Sequence, residues 1–131
     1  LHNLGIIHCD IKPANILISD NNAKIADFGI SSLYGLNWVD YSYYGSCLYS
    51  APELDNSNFK PSTSTDIYSL GIILYEMLNH FTTDMEKNKK IVELKKAEFK
   101  TNTLIDRIIN KDINLRPTIN EIKRFIQEFN I

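Results

Sequence analysis

Two short polar segments, separated by a pair of apolar runs, constrain this chain more than any other feature. They read His8-Cys9-Asp10-Ile11-Lys12-Pro13-Ala14-Asn15 and Asp27-Phe28-Gly29. The apolar runs between them are Ile16-Leu17-Ile18 and Ala23-Lys24-Ile25-Ala26, and turn-forming residues connect the two runs. This arrangement predicts a small β-hairpin. Such a hairpin would bring Asn15, at its start, close to Asp27, which follows its end.

The polar segments resemble the catalytic loop and the metal-binding turn of eukaryotic protein kinases of the serine/threonine type. Phosphoryl transfer needs a carboxylate to orient the attacking hydroxyl, oxygen ligands for magnesium, and a cation near the transferring phosphate. The two segments supply one of each. Either segment alone would occur often by chance, but both in this order and at this spacing form a specific signal.

The resemblance implies a role for individual residues. Asp10 would be the catalytic base, and Lys12 would neutralise the transferring phosphate. Asn15 and Asp27 would hold Mg²⁺ beside the phosphates of ATP. Leu17, together with its two neighbours on the first apolar run, would form the floor under the adenine ring. Without the resemblance, each of these would be interpreted as an ordinary loop, surface or core residue, and the Asp10 side chain would be expected to form a hydrogen bond with its own backbone.

Three further segments match the same family in the same order. Ala51-Pro52-Glu53 would place a carboxylate against the last helices, where an unpaired buried charge is costly. The resemblance implies that Arg116 is the partner of this carboxylate. Asp66 would start a buried helix and accept backbone N–H bonds from the catalytic loop. His8 and Phe28 would stack above Asp66 as structural rather than catalytic residues.

Apolar residues at helical spacing predict the remaining elements. Residues 62–66 are rich in types that cap helices, so a helix should follow them. It should be buried on all sides as far as Met77, and Asn79 and His80 should end it. A basic helix is expected over 86–99, with Ile91, Val92 and Leu94 as its apolar face. Two more are expected, one over 103–109 and a last one capped by Thr118.

Together these features predict a mostly α fold, the large lobe of a protein kinase with a small β-hairpin, and residues 1–131 as a partial protein kinase domain. The sequence contains no Gly-x-Gly-x-x-Gly. The resemblance therefore implies that the small lobe, with its Gly-rich loop and strand lysine, is absent here and would precede Leu1. We expect this chain alone to be inactive and a partner chain to cover the face that the missing residues leave open.

Composition excludes several other classes. A net charge of -2 gives no long-range attraction to nucleic acid or to an anionic membrane surface. No apolar stretch approaches the ~20 residues of a membrane-spanning helix. Cys9 and Cys47 are too few and too poorly spaced for a disulfide framework or a zinc site. We therefore expect both cysteines to be free thiols in a reducing compartment. The cytoplasm is the expected location, and the nucleus is an alternative.

Two details refine the expected class. Lys12, together with Gly45-Ser46, resembles serine/threonine rather than tyrosine kinases, and Ser46 would lie near Asp10 and Lys12. Cys9 stands where most of the family has an arginine that pairs with a phosphate on the activation loop. Cysteine offers no bidentate grip for a phosphate. We therefore expect activity that does not depend on phosphorylation of that loop.

The predicted activity of the parent enzyme is transfer of the ATP γ-phosphoryl group to Ser or Thr hydroxyls of proteins, with Mg²⁺. One alternative is a non-catalytic, truncated or pseudokinase-like lobe that binds protein partners. A small-molecule kinase of the same fold is a weaker option, because the Ala-Pro-Glu and Gly-Ser elements are those that shape a peptide site in the family.

Overall fold

A computed structural model describes residues 1–33, 48–56, 60–97 and 103–129 of the chain. The strands in these ranges are β1 (Ile6–Ile7), β2 (Ile16–Ser19), β3 (Asn22–Ile25) and β4 (Ser32–Leu33). The helices are α1 (Thr63–Leu78), α2 (Asp84–Lys96), α3 (Leu104–Ile108) and α4 (Ile119–Phe129). Short 3₁₀ turns lie at His2–Leu4, Pro13–Asn15, Pro52–Asp55 and Ile113–Leu115. The mostly helical fold expected from the sequence is confirmed.

The predicted hairpin is present. Strands β2 and β3 pair antiparallel, with Ile16 opposite Ile25 and Ser19 opposite Asn22. The two loop residues, Asp20 and Asn21, have φ values of 51° and 61°. A two-residue hairpin turn of the favoured hand requires this left-handed backbone, which Asp and Asn tolerate better than most residues.

A second pair of strands closes the segment that contains the hairpin. Strand β1 pairs antiparallel with β4, so that Ile6 lies opposite Leu33 and Ile7 opposite Ser32. Gly5, with φ 72°, ends the 3₁₀ turn before β1. Because the hairpin and both polar segments lie between β1 and β4 along the chain, this pairing ties residues 8–31 into one unit.

Helix α1 lies at the centre of the core. Its residues Ile67, Tyr68 and Ile72 are buried together with residues from the other helices, which are Ile91, Ile108, Ile109 and Ile122. A Cβ atom added at Gly71 would lie 2.4 Å from Cγ2 of Ile108 and 2.6 Å from Cγ2 of Ile109. Glycine at this position therefore allows α1 and α3 to approach closely.

Two sequence-based expectations about burial are wrong. Helix α1 is buried from Thr65 to Ile73 apart from the half-buried Leu70, but Met77 and Leu78 are 76% and 62% exposed. These two side chains do not belong to the core cluster, which Leu74 and Tyr75 still contact. In α2, Ile91 is fully buried while Val92 is 41% exposed. Consecutive helical residues point about 100° apart, so a narrow contact with the core covers only one of them.

Other expectations hold within a few residues. Helix α1 ends at Leu78 with Asn79 as its C-cap, as predicted, and α2 begins earlier than expected, where Oγ1 of Thr83 accepts a hydrogen bond from the N–H of Glu86. The expected continuation of α2 to Phe99 is wrong, because the helix ends at Lys96 and the backbone of Ala97 is already extended. Ser46, Cys47 and the aromatic residues between 34 and 44 lie outside the described residues. In the described part of the chain, no helix has the length and apolar character needed to cross a membrane.

Candidate active site

A 3₁₀ turn brings the three polar residues of the first segment together. Pro13 opens this turn, and the backbone N–H of Asn15 donates to the carbonyl of Lys12 at 2.9 Å. The carboxylate oxygen Oδ2 of Asp10 lies 2.8 Å from Nζ of Lys12 and 3.0 Å from Nδ2 of Asn15. Asn15 Nδ2 also donates to the backbone carbonyl of Asp10 at 2.8 Å. Asp10, Lys12 and Asn15 thus form one cluster.

The hydrogen bonds of this cluster determine which atoms remain available to a ligand. Both N–H bonds of the Asn15 side-chain amide are donated to Asp10. Its oxygen Oδ1 accepts no hydrogen bond from the described residues. Asp10 likewise receives its two side-chain donors on Oδ2, which leaves Oδ1 to accept a proton or a hydrogen bond from a substrate. An amide oxygen is a suitable ligand for Mg²⁺.

Asp27 lies at the same end of the hairpin as Asn15. The N–H of Ala26 donates to the carbonyl of Asn15 at 2.9 Å, and Asp27 is the next residue. Asp27 has φ 61°, and its Oδ1 accepts a hydrogen bond from the N–H of Gly29 at 3.2 Å. A Cβ atom at position 29 would lie 3.1 Å from that oxygen, so glycine suits this tight turn. Asp27, which is exposed, therefore follows directly on the residue whose backbone is hydrogen-bonded to that of Asn15.

Asp66 of α1 holds the loop in place through hydrogen bonds. Its carboxylate is 1% exposed and accepts hydrogen bonds from the backbone N–H groups of His8 and Cys9, both at 2.9 Å. His2 Nε2 also lies 2.9 Å from Asp66 Oδ2. Cys9 has φ 68°, a left-handed conformation that is strained for a residue with a side chain. The predicted link between α1 and the loop is confirmed, and it stabilises this strained backbone.

His8 connects the loop to the hairpin. Its Nδ1 accepts from the N–H of Asp10 at 3.2 Å, and its Nε2 donates to the carbonyl of Ala26 at 3.0 Å. The ring packs edge-on against Phe28 with centroids 5.0 Å apart. Because both ring nitrogens are engaged and the residue is fully buried, His8 is structural, as the sequence predicted.

The predicted partner of Glu53 is also confirmed. Arg116 NH1 and NH2 donate to the two carboxylate oxygens of Glu53 at 2.6 and 2.8 Å, with side-chain exposures of 0% for Arg116 and 8% for Glu53. The guanidinium lies 4.8 Å from the ring centroid of Tyr68. Burial raises the pKa of the Tyr68 phenol to about 12, although the positive charge of Arg116 acts to lower it.

Sequence reasoning missed the contacts that hold the chain just before Ala51. The Tyr49 hydroxyl donates to Oε2 of Glu76 at 2.6 Å, and Lys95 Nζ donates to the carbonyl of Ser50 at 2.8 Å. These partners come from α1 and α2, and no local pattern in the sequence indicates that they meet.

Asn15 and Asp27 are the residues of this site that could hold a magnesium ion. Within the described ranges, no cluster of three or more His, Cys, Asp or Glu side chains could hold a metal by itself. Magnesium is commonly held by one or two protein oxygens, together with water and the phosphates of a substrate, which Asn15 and Asp27 fit. Leu17 on β2 is 55% exposed and presents apolar surface on which a flat ring could rest.

Comparison with known proteins places this sequence in a family. The family model described as "Protein kinase domain" matches residues 1–126. CBL-interacting serine/threonine-protein kinase 2 of Arabidopsis thaliana is 34% identical over 139 aligned positions, covering 93% of this chain and 30% of that protein.

Two other relatives illustrate the range of the similarity. SNF1-like protein kinase ssp2 of Schizosaccharomyces pombe is 35% identical over 134 positions, covering 94% of this chain and 23% of that protein. Eukaryotic translation initiation factor 2-alpha kinase 1 of Mus musculus is 37% identical over 102 positions, covering 66% of this chain. The chain spans only 16% of the length of this mouse protein.

Proposed function

The chain belongs to the protein kinase domain family, and we propose that it carries the catalytic loop and the metal-binding turn of a serine/threonine protein kinase. The reaction would be transfer of the ATP γ-phosphoryl group to Ser or Thr hydroxyls of protein substrates. In this proposal residues 1–131 form the large-lobe part of the domain, the parent enzyme is cytoplasmic, and the residues that cover the nucleotide lie outside these 131. The isolated chain would then be inactive.

The observation that carries the proposal is the cluster at the base of the hairpin. Asp10 holds Lys12 and Asn15 through one carboxylate oxygen, and the free Asn15 oxygen lies at the hairpin end that Asp27 follows. In this proposal Asp10 is the base, Lys12 is the cation, and Asn15 and Asp27 are the two oxygen ligands for Mg²⁺. Such positioning accounts for most of the catalysis in phosphoryl transfer.

Each residue has a definite task in this mechanism. Asp10 orients the substrate hydroxyl and accepts its proton, while the Lys12 ammonium, 2.8 Å from Asp10, offsets negative charge on the phosphoryl group in transit. Asn15 and Asp27 would hold Mg²⁺, which would supply positive charge next to the ATP phosphates. Leu17 supports the adenine ring. Acceptance of Ser and Thr rather than Tyr is supported by Lys12 and by the similarity to a serine/threonine-protein kinase of Arabidopsis thaliana.

The proposal is tested by label transfer from γ-labelled ATP, using the protein that carries this chain and matched peptides with Ser, Thr or Tyr as acceptor. Label should appear on Ser and Thr peptides only. Asp27→Asn should lower the rate by several orders of magnitude and raise the Mg²⁺ concentration needed for half-maximal rate. The matched control is Asp20→Asn, because Asp20 lies in the exposed hairpin turn, where Asn also tolerates a left-handed backbone.

Equal rates for Asp27→Asn and the unchanged protein at every Mg²⁺ concentration would contradict the proposal. Transfer to the Tyr peptide alone would contradict the substrate class. An unchanged protein that transfers no label, yet binds a protein partner, would instead favour the alternative of a non-catalytic lobe.

A further inference from the structure

His2 is the only side chain, among the described residues, that donates a hydrogen bond to the buried Asp66. Its Nε2 lies 2.9 Å from Oδ2 of Asp66, and because a carboxylate accepts hydrogen bonds, Nε2 is the donor. The other two donors to Asp66 are the backbone N–H groups of His8 and Cys9. The His2 side chain is 19% exposed and that of Asp66 only 1%. Asp66 therefore depends on His2 for one of its three donors.

The loss of this donor would affect the other two hydrogen bonds of the carboxylate. Oδ2 of Asp66 accepts from both His2 and the N–H of His8, whereas Oδ1 accepts from the N–H of Cys9. A buried carboxylate is costly unless its oxygens are hydrogen-bonded. Without His2 the carboxylate would rotate or take up a water molecule to regain a third donor, and its bonds to the loop would weaken.

The two loop residues that Asp66 holds are both connected to Asp10. Cys9 immediately precedes Asp10 and has φ 68°, a strained conformation that persists only when its surroundings enforce it. His8 accepts a hydrogen bond from the N–H of Asp10 on Nδ1, at 3.2 Å. A shift of the Asp66 carboxylate therefore reaches the backbone of Asp10 by two routes.

The residues assigned to Mg²⁺ and to the adenine ring have separate support from the hairpin. The carbonyl of Asn15 accepts from the N–H of Ala26 at 2.9 Å, and strands β2 and β3 hold the rest of the hairpin together. These hydrogen bonds involve neither Asp66 nor His2. Loss of His2 should therefore displace Asp10 and leave ATP binding largely unchanged.

We propose that His2 is a positioning residue for the catalytic base. Acting through Asp66, it keeps the backbone of His8 and Cys9 in the conformation that directs the Asp10 carboxylate at the substrate hydroxyl. His2 itself forms no hydrogen bond with Asp10, so it acts on the rate of transfer through the loop alone. This inference rests on the proposed function.

The test is steady-state kinetics of His2→Leu in the protein that carries this chain, with a Ser/Thr peptide and ATP varied separately. Leucine keeps an apolar side chain of similar size at this position but donates no hydrogen bond. We expect kcat to fall about tenfold, less than the roughly 100-fold that a misplacement of about 1 Å can cost. The KM for ATP should stay within about twofold of its original value. Circular dichroism at the assay temperature confirms that both proteins are folded.

Three further variants make the result specific. His2→Gln keeps an N–H donor near the position of Nε2 and should restore most of the rate. His80→Leu removes an exposed histidine after the end of α1 and should leave kcat and both KM values unchanged. If His2→Leu does not fold, His2→Phe takes its place, because a cavity of about 170 Å³ beside His2 leaves room for the larger ring.

Hydrogen exchange measures the same link without enzymatic activity. In His2→Leu the backbone N–H groups of His8 and Cys9 should exchange with deuterated water faster than in the unchanged protein, because their bonds to Asp66 are weakened. The N–H groups paired between strands β2 and β3 should exchange at unchanged rates.

Several results would overturn the proposal. One is a kcat of His2→Leu equal to that of the unchanged protein, and another is unaltered exchange at His8 and Cys9. Equal impairment of His2→Gln and His2→Leu would show that the ring matters only for packing. A parallel change in kcat, the KM for ATP and the denaturation midpoint would likewise indicate a purely structural role.

Failure of the two proposals can be told apart. If the unchanged protein transfers no label, the proposed function fails and the role of His2 in catalysis fails with it. If the unchanged protein transfers label but His2→Leu behaves like His80→Leu, only the role of His2 is refuted.

Discussion

Removal of one partner of the Glu53–Arg116 pair should destabilise the fold strongly. Arg116 donates two hydrogen bonds of 2.6 and 2.8 Å to the Glu53 carboxylate, and the side-chain exposures are 8% for Glu53 and 0% for Arg116. Glu53→Ala leaves a buried guanidinium that keeps the neutral carbonyls of Asn110 and Ser64 as acceptors, at 2.7 and 2.9 Å, but no longer has its counter-charge. A buried charge without its counter-charge costs about 3–5 kcal/mol, which we expect for this variant.

Arg116→Ala should cost at least as much. It leaves the Glu53 carboxylate with one weak donor, the Thr65 hydroxyl at 3.4 Å, and also removes the donors of two backbone carbonyls. The double variant contains no unpaired buried charge. Its loss of unfolding free energy should therefore be smaller than the sum of the two single losses by about 1–3 kcal/mol.

Urea unfolding followed by circular dichroism measures these free energies, provided that the slope with denaturant stays constant. The exposed pair Lys90–Glu93, 3.6 Å apart with both side chains 53% exposed, is the matched control. Its coupling should lie between about 0 and 1 kcal/mol. Strictly additive losses for Glu53→Ala and Arg116→Ala would refute the argument that the two charges depend on each other.

Three other results are expected. Gly71→Ala should lower the free energy of unfolding by about 1–3 kcal/mol in the same assay, because the added methyl overlaps Ile108 and Ile109; an unchanged midpoint would show that α1 and α3 are not in close contact. Hydrogen bonds from the backbone and hydroxyl of Thr118 lower the pKa of Glu121 in the folded chain, so its stabilisation is present above the unfolded-state pKa. Glu121→Gln should therefore reduce the unfolding midpoint at neutral pH, and the difference should vanish as the pH falls through the lowered pKa; a constant difference at all pH values would contradict this. Phosphatase treatment of the active protein should leave its rate unchanged, since Cys9 offers no grip for a phosphate at Ser31, Ser32 or Ser42; loss of activity, restored by rephosphorylation, would contradict that expectation.

The sequence predicts those features of the site that depend on local order. The hairpin follows from two apolar runs and a turn, and its two-residue loop at Asp20 and Asn21 fixes the register that places Asp27 beside Asn15. Burial alone predicts that the carboxylates of Asp66 and Glu53 need partners, and the family resemblance implies which ones, the loop N–H groups for Asp66 and Arg116 for Glu53.

Features that depend on which neighbour covers a surface could not be predicted in the same way. The sequence shows apolar residues at helical spacing that include Met77 and Val92. It does not show that neighbouring elements leave these two side chains exposed. The bond between Lys95 and Ser50 joins residues 45 positions apart, and a lysine on a basic helix gives no sign that it will point at a backbone carbonyl. Such contacts arise only from the tertiary arrangement of α1, α2 and the stretch before Ala51.

The central claim is that the Asp10 carboxylate activates the hydroxyl that attacks ATP. The most direct measurement is the single-turnover rate of phosphoryl transfer in Asp10→Asn, with ATP binding measured in parallel. Asparagine preserves the size of the side chain and its bond to Lys12 in part, but it cannot accept the proton. The account predicts a rate lower by several orders of magnitude with ATP affinity nearly unchanged. A rate comparable to that of the unchanged protein would contradict the claim.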